Sequence, residues 1–218
     1  MKKNTAFVVL AILLFSLLAS ICFFPYMPDN MAAHWNARGE VDRYAGKIWG
    51  LFIIPFLMLC LVMFFSAVRK ICPLKTGTGK SAKYYNAFII TMALFLLSVQ
   101  AHIIMWNSGI KINPNVIFPG LLGILFFCAG VICAHAERNR CPGIKTPWTL
   151  RGGAVWDKTR KAAARVFKCA GIIMFVGTFF ARYSVFFILI PVFLSVAGLI
   201  IYSYILNTSE IRTKKTDK

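Results

Sequence analysis

Long apolar runs and short polar breaks alternate along the whole chain. A helix that crosses the hydrocarbon core of a bilayer needs roughly 20 largely apolar residues. Runs of that order cover residues 5–24, 48–68, 87–106, 116–135 and 185–206. A further run, 166–181, is shorter and carries Lys168 near its start, where a lysine can keep its stem in apolar surroundings and raise its ammonium to the headgroups. The runs are rich in leucine and phenylalanine and lack the period-two alternation of barrel strands, so the pattern predicts six transmembrane helices. Pro55, Pro119 and Pro191 fall inside predicted helices and are read as packing features that can kink them. Gly120, Gly123, Gly130, Ala134, Gly171 and Gly177 predict places where helices approach closely.

Composition agrees: 59% of the 218 residues are hydrophobic and 15% are charged, the balance of an all-α integral membrane protein rather than a soluble domain. The net charge of +18 would point to nucleic acid in a soluble protein. Here it is an orientation signal and an attraction to anionic lipid, with no direct nucleic-acid binding expected. With the N-terminus in the cytoplasm, 20 of the 25 Lys and Arg fall inside and only Arg38, Arg43, Lys47, Lys111 and Arg182 fall outside. That asymmetry follows the positive-inside rule, and the even number of spans returns the C-terminus to the cytoplasm. The first run is too long for a signal-peptide core and lacks a clean small-x-small end, so it is read as an uncleaved span. The seven cysteines form no CxxC pair, and no metal or cofactor is expected.

Two polar segments are long enough to hold a site, residues 25–47 outside and 137–165 inside, and neither is long enough for a core of its own. The chain divides into 1–70 (two spans and the external loop), 71–136 (two spans) and 137–218 (the cytoplasmic segment and two spans). The loop at 69–83 contains Gly-Thr-Gly-Lys-Ser, similar to the end of a phosphate-binding loop, but the required upstream glycine and strand are missing.

The outer segment reads as a cap. Pro25 and Pro28 stiffen its start, Asn36 to Gly39 has turn chemistry, and His34, Asn36, Glu40 and Asp42 cluster beyond them. Imidazole and carboxylates serve as metal ligands and proton carriers, but this spacing matches no recognised metal motif. The preferred reading is that His34, Asn36 and Asp42 hydrogen-bond the loop to itself. Lys47 meets the second span at the headgroups.

On the inner segment, Thr146 and Pro147 read as an N-cap and first helical residue, interrupted at Gly152 and Gly153. A second helix starts near Ala154. Lys158, Lys161, Arg165 and Lys168 share one face, with Val155, Trp156, Thr159, Ala163 and Phe167 toward another. This is a basic amphipathic helix leading into the fifth span, suited first to anionic headgroups and second to a partner anchored on Trp148 and Trp156.

Both segments carry a resemblance. Phe24, Pro25, Met27, Pro28, Met31, His34, Trp35, Asn36, Gly39, Asp42 and Lys47 are similar in order to the N-terminal DUF1648-type domain of the SdpI family of bacterial membrane immunity proteins. Ala32 replaces a frequent proline and Trp35 a frequent phenylalanine. Gly143, Ile144, Thr146, Pro147, Trp148, Thr149, Leu150, Trp156, Thr159, Ala163 and Ala164 resemble that family's second signature. There Lys145 replaces the usual arginine, Arg160 a histidine and Lys161 an arginine. The resemblance implies a multi-pass protein of the prokaryotic plasma membrane, not an enzyme, that protects its producer from a secreted membrane-active toxin peptide. In some members it also implies signalling by holding a cytoplasmic repressor at the membrane. The outer motif would face the toxin and the inner one the repressor, with membrane lipid as the constant partner.

Two other classes stay open: a ligand sensor without toxin defence, and a small enzyme or transporter using His34, Asp42 or His102. Gln100 and His102 lie about 200° apart on their helix and cannot share a cavity. His102 is read as a hydrogen-bonder at the membrane interface, and the spans hold no internal Asp or Glu for a proton relay.

Overall fold

Inside lipid each apolar run must satisfy its own backbone, and it does so as a helix. The computed structural model describes residues 3–71, 80–136, 148–149 and 153–216. Helices α1 (Lys3–Phe23), α2 (Lys47–Ile71), α3 (Lys80–Asn107), α4 (Pro114–His135), α5 (Gly153–Val176) and α6 (Ser184–Thr216) contain six segments long and apolar enough to cross a membrane. Asn113 caps α4: its side chain accepts from the Asn115 N–H at 2.9 Å, and Pro114 occupies the first turn. Gly77 to Gly79 of the basic loop, together with Gly143, Lys145, Thr146, Pro147 and Gly152, lie outside the described residues.

Two expectations change. The cap at 25–47 is not an irregular loop but an antiparallel hairpin, β1 (Asn30–Trp35) with β2 (Val41–Gly46), paired from Asn30↔Gly46 to Trp35↔Val41. Register shifts on either side of His34 bend β1, so Met31 and Ala32 are both buried. The amphipathic segment leads into the fifth span as expected, in one helix, α5, that starts at Gly153; its end is what changes. It ends at Val176, short of the expected residue 181, in two 3-10 turns, Gly177–Phe179 and Ala181–Tyr183.

The hairpin belongs to the core of the first three helices. Met27 and Met31 are buried with Leu13 of α1, Leu51, Ile54 and Met58 of α2, and Ile103 and Ile104 of α3. Deeper in the bundle, Gln100 joins the same helices. Its Nε2 donates to Ser16 O at 2.9 Å and Ser20 Oγ at 2.7 Å, its Oε1 accepts from Ser16 Oγ, and Ser20 Oγ donates to Leu51 O at 2.7 Å. Interhelical hydrogen bonds of this kind are worth about 0.6–2 kcal/mol each in membranes. The α4–α5 pair is held differently. A Cβ on Gly123 would lie 2.5 Å from Gly171 O, and one on Gly171 2.5 Å from Gly123 O, so the two backbones touch directly.

Candidate functional site

At the hairpin end, local chemistry builds the turn and neighbouring helices hold it. Asn36 accepts from the N–H groups of Arg38 (2.8 Å) and Glu40 (3.1 Å), while its Nδ2 donates to Glu40 Oε2 at 3.0 Å. Gly39 is buried at φ +80, and a Cβ there would collide with the Asn113 side chain. Asn115 Nδ2 donates to Ala37 O at 2.9 Å, so the start of α4 grips the turn. Asn107, at the end of α3, acts as a substitute strand: its Oδ1 accepts from Ala32 N at 2.8 Å and its Nδ2 donates to Ala32 O at 3.1 Å. Both backbone groups of a residue 2% exposed are thereby satisfied.

The polar cluster expected here divides. His34 Nδ1 lies 2.5 Å from Asp42 Oδ1, with both side chains open to solvent. The hydrogen bond from His34 holds the Asp42 carboxyl below its usual range. Glu40 instead turns to Asn36, and among the described residues no group of three His, Cys, Asp or Glu could hold a metal ion. Pro25 lies in the 3-10 turn Phe24–Tyr26, and Pro28 is exposed beyond it. Lys47 places its Nζ 4.8 Å from the centre of the Phe24 ring and donates its N–H to Asp29 O at 2.8 Å, closing the base of the cap.

Trp35 turns inward. Its ring meets His102 at 4.9 Å and Trp106 at 5.4 Å between centroids, and His102 also meets Phe118 at 5.1 Å. His102 is 1% exposed, and neither ring nitrogen has a hydrogen-bond partner among the described residues. The sequence suggested an interfacial hydrogen-bonder; Trp35, arriving from a distant part of the chain, seals that position with an aromatic face. Gln100 and His102 do face different neighbours, as their spacing requires.

At the opposite end, the inner-motif residues separate into ties and free groups. Trp148 Nε1 donates to Ser203 Oγ at 2.7 Å, and its ring meets Tyr204 edge-on at 5.4 Å, which fastens it to α6. Thr149 and Thr159 are buried. Arg160 donates from Nη1 to Cys133 O (3.2 Å) and Ala134 O (2.5 Å), capping the C-terminal end of α4, while its Nη2 lies 3.4 Å from Asp157 Oδ1. Trp156 lies under the guanidinium at 5.3 Å. Tyr84 of α3 stacks on His135 at the same end of α4, centroids 3.8 Å apart. Lys158, Lys161 and Arg165 project outward, exposed and without an ion pair to any described residue.

Asn107, Asn113, Asn115 and Ser203 were not singled out in the sequence; only the Asn113-Pro114 pair carries a local signal, that of a helix start. Residues 11–59, which include the hairpin, match the model of the domain of unknown function DUF1648. Residues 135–204, which include Trp148 and all of α5, match the model of the SdpI/YfhL protein family. The chain is thus similar to the SdpI/YfhL family over its C-terminal third. A curated relative, the immunity protein SdpI of Bacillus subtilis (strain 168), is 28% identical over 205 residues and covers 92% of both chains. No solved structure matches this chain. One polar end of the bundle, together with its flanking helices, lies within each matched region of the chain. Its six apolar helices and this relationship make it a multi-pass protein of the bacterial plasma membrane.

Proposed function

We propose that the protein is a membrane immunity protein that guards its producer against a secreted membrane-active toxin, with the hairpin end outside and the basic end in the cytoplasm. The observation that carries this reading is the end-to-end similarity to an immunity protein, at 28% identity over 92% of each chain. The orientation is supported by the charge asymmetry, since only five of the 25 Lys and Arg lie on the hairpin side. His34, Asp42, Arg43 and Tyr44 form the exposed face that would meet the toxin, while Trp35, Asn36 and Gly39 hold that face in shape. In this reading protection works by binding, as the similarity to an immunity protein suggests, with the exposed His34–Asp42 pair on the contact face. A cytoplasmic repressor, where a signalling branch exists, would meet the lysines of α5, because Trp148 and Thr159 face the protein interior.

Expression in a host sensitive to the producer's toxin tests the reading. Survival above the empty vector is expected, with His34→Ala or Asp42→Ala reducing it and Trp148→Phe sparing it. Survival equal to the vector, with the protein present in the membrane, sinks the immunity function.

A further inference from the structure

The basic stripe of α5 does not end where the helix enters the apolar part of the bundle. At 3.6 residues per turn, Lys161, Arg165, Lys168, Ile172, Phe175 and Val176 all fall within an arc of roughly 100°. The upper half of this stripe is cationic and the lower half apolar. Its apolar half lines an open groove of about 340 Å³ between α4 and α5, completed by Ile124 and Phe127 and floored by the touching glycines Gly123 and Gly171. Lys168 stands at the junction: its Nζ is 6.0 Å from the centre of the Phe127 ring, which itself lines the groove. Ile172 remains 56% exposed within a span, so only lipid or another membrane segment can cover it.

We propose that this face binds one anionic phospholipid from the leaflet at the basic end. Its phosphate lies among Lys161, Arg165 and Lys168, and one acyl chain lies in the α4–α5 groove. Charge complementarity selects the occupant. A second copy of this chain would bring the same cations against themselves, and a zwitterionic lipid would leave them uncompensated. The lipid would also bridge α4 and α5 along the groove, adding a third contact to the backbone crossing of Gly123 and Gly171 and the Arg160 cap at the end of α4. This binding is independent of toxin immunity.

The test uses the full chain in a neutral detergent, titrated with dioleoylphosphatidylglycerol or dioleoylphosphatidylcholine, with retained lipid counted by native mass spectrometry. Phosphatidylglycerol is retained preferentially, and the preference falls roughly five-fold for each charge removed in the series K161Q, R165Q and K168Q. The double variant K111Q/R182Q, altered at the other end, keeps the preference. Ile172→Trp fills the groove without touching a charge and lowers phosphatidylglycerol retention. Equal retention of the two lipids by the unaltered protein overturns the proposal, as does an unchanged preference in the triple variant. Unchanged retention by Ile172→Trp overturns the acyl-chain assignment, and a dimer that retains no phosphatidylglycerol shows a second copy on this face instead.

Discussion

The hairpin end and the basic end each carry one family region, yet they place their residues in opposite ways. At the hairpin end the motif builds a small structure: Asn36 makes the turn, Gly39 fits against Asn113, and Lys47 closes the base on Phe24. The His34–Asp42 pair, with Arg43 and Tyr44, is left facing water. At the basic end there is no small structure to build; Trp148 and Arg160 instead fasten existing helices to one another, and a row of cations remains free. A hairpin of two short strands is marginal alone and needs many local contacts, whereas helix ends need only their carbonyls satisfied. A motif residue is therefore not by that fact a contact residue at either end.

The strongest way to break this contrast is Asn107→Leu. It leaves the N–H and C=O of the buried Ala32 unpaired, at about 1–3 kcal/mol each, and should lower the melting temperature in detergent more than Arg160→Met or Trp148→Phe does. A shift no larger than that of a surface substitution would mean the hairpin does not depend on α3. Arg160→Met comes next, since charge-assisted hydrogen bonds are worth about 1.5–3 kcal/mol. Arg160→His, restoring the residue usual in the family, should recover part of that loss, and equal melting of the two variants would argue against a capping role. Trp148→Phe keeps the ring against Tyr204 but loses the bond to Ser203, a cost of about 1 kcal/mol; a double variant with Ser203→Ala should add little further, because the two groups act as one pair.

The smallest effect is one of pH. Asp42 has a lowered pKa in the folded protein, so its contact with His34 contributes fully above the ordinary carboxylate value of 3.8 and is lost as pH falls through the lowered value. Hydrogen exchange of the hairpin amides, corrected for intrinsic rates, should show protection that is steady down to about pH 4 and declines below it. Asp42→Asn should abolish that acid-side decline, and a decline that persists in this variant would remove Asp42 as its cause.

The spans were legible because lipid imposes one length and one backbone solution on any apolar run. Turn chemistry at Asn36 to Gly39 was legible for an equally local reason: the asparagine side chain bonds backbone groups only two and four residues away. The strands beside it were not. Their pairing is irregular around His34, and their stability comes from Asn107 and the helix core, so no alternation of their own announces them. Arg160 stands where the family usually has a histidine; in the structure its Nη1 alone donates to two carbonyls at the end of α4, those of Cys133 and Ala134, a contact that depends on how α5 packs against α4.

By itself, then, the chain determined its number of crossings, the asymmetry of its charge and the two places where polar residues gather, all consequences of solvent acting on short stretches of sequence. Tertiary structure decided which of those polar residues remain available. Trp35 covers His102 and Asn107 completes β1 because segments far apart in sequence meet across the bundle. Such meetings depend on helix packing, which no local pattern encodes.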